Sequence, residues 1–128
     1  RIVIAAARRG ARAFGFDIDP EMVRQARERV LQAGVGHRAT IREADVFELD
    51  LGEATVVTLY LLPELNVLLM PQLEKLKAGS RILSHDFSMG SAKPIQTHTL
   101  DVSAEQNQGG FGSEEHTIYK WVVPWEKE

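Results

Sequence analysis

The stretch Gly15-Phe16-Asp17-Ile18-Asp19-Pro20-Glu21-Met22 constrains the chain most, because it reads as a strand running straight into a helix with an acidic residue at the junction. Asp19 is suited to accept from the unpaired N–H groups of the first helical turn. Pro20 fits the first helical position, where no N–H is required. Asp19 is thereby explained as a cap. Asp17 sits at the strand's carboxyl end, where open α/β sheets bind ligands and where a carboxylate can accept from both hydroxyls of a ribose. Ile18 beside it offers an apolar edge to a base.

Around this junction the rest of the chain falls into alternating elements. Arg1–Ile4 has the β-branched content of a strand, but the alanines that follow, Arg8 and Arg9 near the end, and Gly10 as a stop favour a helix ending near Gly10. Ala11 to Asp17 is then a buried strand. Pro20 to Ala33 places Met22, Val23, Ala26, Val30 and Ala33 on one face and Arg24, Arg27, Glu28 and Gln32 on the other, with Gly34 as the stop. Arg38 to Ala44 reads as a strand, followed by a loop through Asp45, Phe47 and Asp50. Ala54 to Leu62 is a nearly unbroken apolar, β-branched run, which predicts a central strand covered on both faces.

Pro63 and Glu64 open a helix carrying Leu65, Leu68, Leu69, Leu73 and Leu76, with Pro71 as a kink or break and Gly79 beyond its end. Ser80 to Phe87 is another strand, and Ser88 to Pro94 a loop. Thr97 to Val102 and Thr117 to Val123 read as an antiparallel pair joined by the glycine-rich segment Gln106 to Ser113. The order predicts one α/β domain with a mostly parallel, right-handed sheet closed by an antiparallel β-hairpin at its edge.

Composition narrows the function. The 128 residues, 44% of them hydrophobic, suit one domain with a continuous core. A net charge of -3 and a pI near 5.8 argue against holding a nucleic-acid backbone by charge and favour protein or small-molecule partners. The arginines between Arg1 and Arg42 read as solvated helix faces. Without cysteine there is no disulfide framework, thiol nucleophile or thiolate zinc site. No apolar run reaches membrane-spanning length and none resembles a signal peptide, so a cytoplasmic protein without membrane contact is expected.

With these residues in place, the chain resembles class I S-adenosylmethionine-dependent methyltransferases, from the helix after their glycine-rich loop to their closing hairpin. Arg1-Ile2-Val3-Ile4-Ala5-Ala6 is similar to the helix that follows the family's Asp-x-Gly-x-Gly-x-Gly loop. That loop and its strand are not in the sequence, so the resemblance implies a Rossmann-like sheet lacking its first strand. It also implies S-adenosylmethionine as cofactor, with Asp17 taking the ribose hydroxyls and Ile18 beside the adenine. Asp45 would contact the adenine amino group, with Val46 and Phe47 against the ring.

Thr58-Leu59-Tyr60-Leu61-Leu62-Pro63-Glu64, followed by Ser84-His85-Asp86-Phe87, resembles a narrower group: bacterial relatives of the mitochondrial protein-lysine methyltransferases. More distantly it resembles the non-SET histone-lysine methyltransferases, which have Pro-Glu at the same bend. That subgroup often carries Trp in the loop after the fifth strand, where this chain has Ala92. The resemblance implies a protein or small-molecule methyl acceptor and makes Tyr60, Pro63 and Glu64 the candidate catalytic residues. Methyl transfer from a sulfonium needs alignment, a dry site and a neutral nucleophile rather than a triad.

Tyr60 then borders the transferred methyl or binds the amine; the competing reading is a core tyrosine with a satisfied hydroxyl. Glu64 is explained at least as well by the positive end of its helix. His37, His85, His98 and His116 have no spacing that argues for a metal, and His98 and His116 are placed to face each other across the terminal strand pair. A non-catalytic fold remnant acting through self-association is the alternative to an enzyme. Two strands without their usual neighbour predict a homodimer built on sheet edges.

Overall fold

The computed structural model describes residues 2–102 and 114–127, and the chain divides into two compact units, Arg1–Leu49 and Asp50–Glu128. In the first unit, α1 (Ile2–Arg8) leads through Gly10, at φ 95°, into β1 (Ala13–Asp17). Next come α2 (Pro20–Ala33), β2 (Ala39–Glu43) and the short 3₁₀ turn Val46–Glu48. The α2 boundaries follow from local chemistry. Asp19 Oδ1 accepts from the Glu21 N–H at 2.9 Å, and Gly34 closes the helix in the left-handed region at φ 72°.

β1 and β2 run parallel, with Ala13 opposite Ala39 and Asp17 opposite Glu43. Ala7, Ala13, Val30, Val35 and Ala39 form their core, with Val3, Ile4 and Ile41 packed against it. Each valine buried here contributes about 1.5–3 kcal/mol. Gly15 lets α1 approach the strands closely: a Cβ there would stand 2.9 Å from Ile41 Cδ1 and 3.0 Å from Val3 Cγ2. The expectation of a buried β1 is corrected, since only Ala13 of the strand is buried. Phe14 is 47% exposed with the Arg42 guanidinium 5.8 Å from its ring centroid. Among the described residues β1 has one paired neighbour, β2.

The second unit contains β3 (Val56–Leu59), α3 (Pro63–Leu73), β4 (Arg81–His85), β5 (Ala92–Lys93), β6 (Gln96–Val102), β7 (Glu114–Val122) and β8 (Glu126–Lys127). Its main sheet has the order β3-β4-β7-β6. β3 and β4 are parallel, and β7 is antiparallel to both β4 and β6. Among the described residues β3 therefore ends the sheet instead of lying centrally, and Val56 is 38% exposed. An apolar run encodes covered faces but carries no information about how many strands pair beside it. In α3, Leu69 and Leu73 are fully buried whereas Leu68 is 64% exposed, so it lies off the buried face. Pro71 falls in the last turn, and the helix runs on to Leu73.

The segment expected to be a loop, Ser88 to Pro94, is more ordered than its composition predicts. Met89 is fully buried, and β5 pairs antiparallel with β8. The reason lies in the tail: Trp121, fully buried, donates from Nε1 to the Ala92 carbonyl at 3.1 Å. The expected closing hairpin is present as β6 and β7, but its register pairs His98 with Ile118 and His116 with Leu100. The two histidines are thus not opposite each other. The glycine-rich connection Gln106 to Ser113 lies outside the described residues.

Candidate functional site

In the first unit, the parallel pairing of β1 and β2 brings Asp17 and Asp45 to the same end of the two strands, where the Ala44 N–H donates to the Asp17 carbonyl at 3.0 Å. Both carboxylates are anchored by the same local device. Asp17 Oδ1 accepts from the Asp19 N–H at 2.9 Å, and Asp45 Oδ1 accepts from the Phe47 N–H at 2.9 Å, capping the 3₁₀ turn. Each bond satisfies the turn reading of its aspartate. A carboxylate has two oxygens and about four acceptor sites, so the bond fixes the group without exhausting it.

Beside these carboxylates, Ile18 is 69% and Phe47 37% exposed, and Val46 is half-buried. Two fixed acceptors flanked by exposed apolar side chains fit an adenosine, whose hydroxyl and amino groups donate and whose base offers apolar faces. A cleft of about 200 Å³ lies beside Val3, Ile4, Gly15, Asp17, Met22 and Ile41 among others; Ile18, Asp45, Val46 and Phe47 do not line it. The carboxylate pair and the cleft are separate features that meet at Asp17.

In the second unit, Tyr60 follows β3 with its side chain 63% exposed, which removes the core reading. Its ring meets the His85 ring edge-on, with centroids 4.4 Å apart at 72°. Pro63 and Glu64 lie in the first turn of α3, and Glu64 is an exposed acidic residue at the positive end of the helix. Sequence reasoning missed Asn66, which is fully buried. Its Nδ2 lies 3.2 Å from Ser84 Oγ, 3.3 Å from the Phe87 carbonyl and 3.1 Å from the Ser88 carbonyl, pinning α3 to the end of β4. The only signal in the sequence is a polar residue interrupting the apolar run from Leu65 to Met70.

The same strand end gathers His85, Asp86 and His116. β4 pairs with β7 so that His85 is opposite Ile118. Asp86 then turns into the left-handed region at φ 67°, donating its N–H to the Thr117 carbonyl at 2.7 Å and accepting the Thr117 N–H on Oδ1 at 3.0 Å. Burial pushes the Asp86 carboxyl up, but hydrogen bonds from His116 and the Thr117 N–H, with the charges of His85 and His116, hold it below the usual carboxylate range.

Comparison with known proteins matches the ANTKMT methyltransferase domain over residues 1–96. A protein-lysine N-methyltransferase of Saccharolobus islandicus is 37% identical, over 96% of this chain and 73% of its own length. The mouse adenine nucleotide translocase lysine N-methyltransferase is 30% identical over 74% of this chain, a match that spans 42% of that protein. Among solved structures, an RNA methyltransferase from Salinibacter ruber in complex with S-adenosyl-L-homocysteine superposes with a TM-score of 0.81. It is 41% identical, covering 99% of this chain and 75% of that one.

Proposed function

The chain belongs to the ANTKMT methyltransferase domain family of S-adenosylmethionine-dependent methyltransferases, and from that premise we propose that it serves methyl transfer to a protein lysine. The observation that carries the acceptor class is the similarity to the archaeal and mouse lysine methyltransferases. The net charge of -3 supports it over a nucleic-acid acceptor.

When bound, S-adenosylmethionine supplies an electrophilic methyl group on sulfur. On this reading Asp17 accepts the ribose hydroxyls, Asp45 accepts the adenine amino group, and Ile18, Val46 and Phe47 border the base. Pro63 sets the bend that presents Tyr60 and Glu64 to the acceptor. The Tyr60 hydroxyl would hold the amine nitrogen, and the exposed Glu64 carboxylate would attract the lysine ammonium before it releases its proton to solvent water. Neither residue needs to act as a nucleophile, because alignment supplies most of the rate in such a displacement.

No helix among the described residues is long and apolar enough to cross a membrane. The proposal includes a cytoplasmic location and a homodimer, the latter supported by the exposed Phe14 and Val56 on β1 and β3, each strand having one paired neighbour among the described residues. The Salinibacter neighbour, described as an RNA methyltransferase, keeps RNA as a second reading. The test is incubation of the intact protein with methyl-labelled S-adenosylmethionine and separate protein and RNA fractions of a cell extract. Label recovered as ε-N-methyllysine supports the proposal, and label confined to RNA overturns it in favour of the second reading.

A further inference from the structure

We propose that His85, Asp86 and His116 form a binding site for a divalent transition-metal ion of the zinc class, held by two imidazole nitrogens and one carboxylate oxygen. The proposal concerns the second unit alone and does not depend on the methyl-transfer reading.

The three ligand atoms converge. His85 Nε2 lies 2.9 Å from His116 Nδ1, His116 Nδ1 lies 2.9 Å from Asp86 Oδ2, and His85 Nε2 lies 3.6 Å from Asp86 Oδ2. Hydrogen bonding alone serves this arrangement poorly. His116 Nδ1 carries either one proton or one in-plane lone pair. As an acceptor from His85 it turns a lone pair toward a carboxylate oxygen. As a donor it must split one proton between Asp86 and His85.

A cation removes the conflict. From separations of 2.9, 2.9 and 3.6 Å, the point equidistant from the three atoms lies about 1.9 Å from each, so an ion slightly off their plane reaches the ~2.0–2.1 Å bonds of zinc to imidazole and carboxylate.

The backbone prepares the site. The Asp86 turn is held by two hydrogen bonds with Thr117, one from the Asp86 backbone N–H and one accepted on Oδ1, which leaves Oδ2 beside the histidines. The Tyr60 ring packs on the His85 ring and restrains its orientation. The side chains of His85 and Asp86 are each 26% exposed and that of His116 17%, so an ion has an entry path and a fourth position open to water or a ligand. That is the pattern of an exchangeable or catalytic centre rather than a closed structural one. Two imidazoles and one carboxylate suit zinc, cobalt, nickel or ferrous iron over magnesium or calcium, which prefer all-oxygen shells.

The test uses the full chain freed of metal by a chelator. Cobalt(II) should give visible absorption bands saturating at one equivalent and discharged by zinc. In NMR spectra of the wild-type protein, zinc should shift the ring signals of His85 and His116 and leave those of His37 and His98 in place. His116→Gln should weaken cobalt binding about tenfold or more, while the double variant His37→Gln with His98→Gln should bind as wild type. The NMR measurement needs no variant and so survives a folding defect in His116→Gln. Absence of saturable binding, shifts confined to His37 or His98, or unchanged affinity in a folded His116→Gln protein would each overturn the site.

Discussion

Asp86 Oδ2 stands 2.9 Å from His116 Nδ1 although the two residues are thirty positions apart in the chain. Their meeting depends on β4 and β7 pairing in one register and on Asp86 leaving the strand through the left-handed region. Backbone conformation and side-chain chemistry are therefore separable at this residue.

Replacing Asp86 tests that separation. Asn keeps an oxygen for the Thr117 N–H and tolerates the left-handed region, whereas Ala loses the acceptor and adds a conformational penalty of about 1–2 kcal/mol. In urea denaturation of the metal-free protein, Asp86→Ala should be the less stable variant by at least that amount. Equal midpoints would show that the strand end does not depend on this turn.

Asn66→Asp should be strongly destabilising at neutral pH. The change puts a carboxylate against the Phe87 and Ser88 carbonyls in a fully buried site, where an unpaired or repelled polar group costs roughly 2–4 kcal/mol or more. Thermal melts should show the variant recovering part of its deficit toward pH 5, as the raised carboxyl takes up a proton. Asn66→Ser should remain intermediate.

On the exposed face of α2, the Arg24 hydrogen bond, helped by Gln25, brings the Glu21 carboxyl from 4.5 down to about 2. A depressed carboxylate contributes stability above its unfolded pKa, and that contribution is lost as pH falls from about 4.5 through about 2. Carboxyl NMR titration should give a low midpoint in the wild type and a higher one in Arg24→Ala. Because the pair is solvated, added salt should narrow the difference.

Trp121→Ala should cost about 3–5 kcal/mol, the range for truncating a buried aromatic, and should expose the Ala92 carbonyl that the indole now satisfies. Trp121→Phe should lose less. Hydrogen exchange at Lys93, whose residue pairs with Glu126 in β5 and β8, should quicken in both variants.

The particular elements show what a sequence carries. The limits of α2 were legible to the residue because Asp19, Pro20 and Gly34 act within one turn of themselves. The alternation of strands and helices and the closing hairpin were legible from periodicity, as were the positions of Asp17 at the end of β1 and Asp45 just after β2. The exposure of Phe14, Val56 and Leu68 was not, because it depends on which neighbours each surface receives. The His85, Asp86 and His116 cluster was hidden for the same reason: no local spacing encodes the register between β4 and β7. Asn66 was overlooked because a polar residue within the apolar run Leu65 to Met70 gives no sign of the three groups it touches.

Calorimetric titration of S-adenosylhomocysteine into the intact protein, wild type against Asp17→Ala, reads the cofactor site at the end of β1 directly. Asp17 is exposed and its carboxylate accepts locally, from the Asp19 N–H, so the variant should keep its fold. Charge-assisted hydrogen bonds to a ribose are worth roughly 1.5–3 kcal/mol each, so losing the bonds to both hydroxyls should lower affinity by about a hundredfold or more. Unchanged affinity in a folded Asp17→Ala protein would remove Asp17 and the carboxyl end of β1 from the cofactor site.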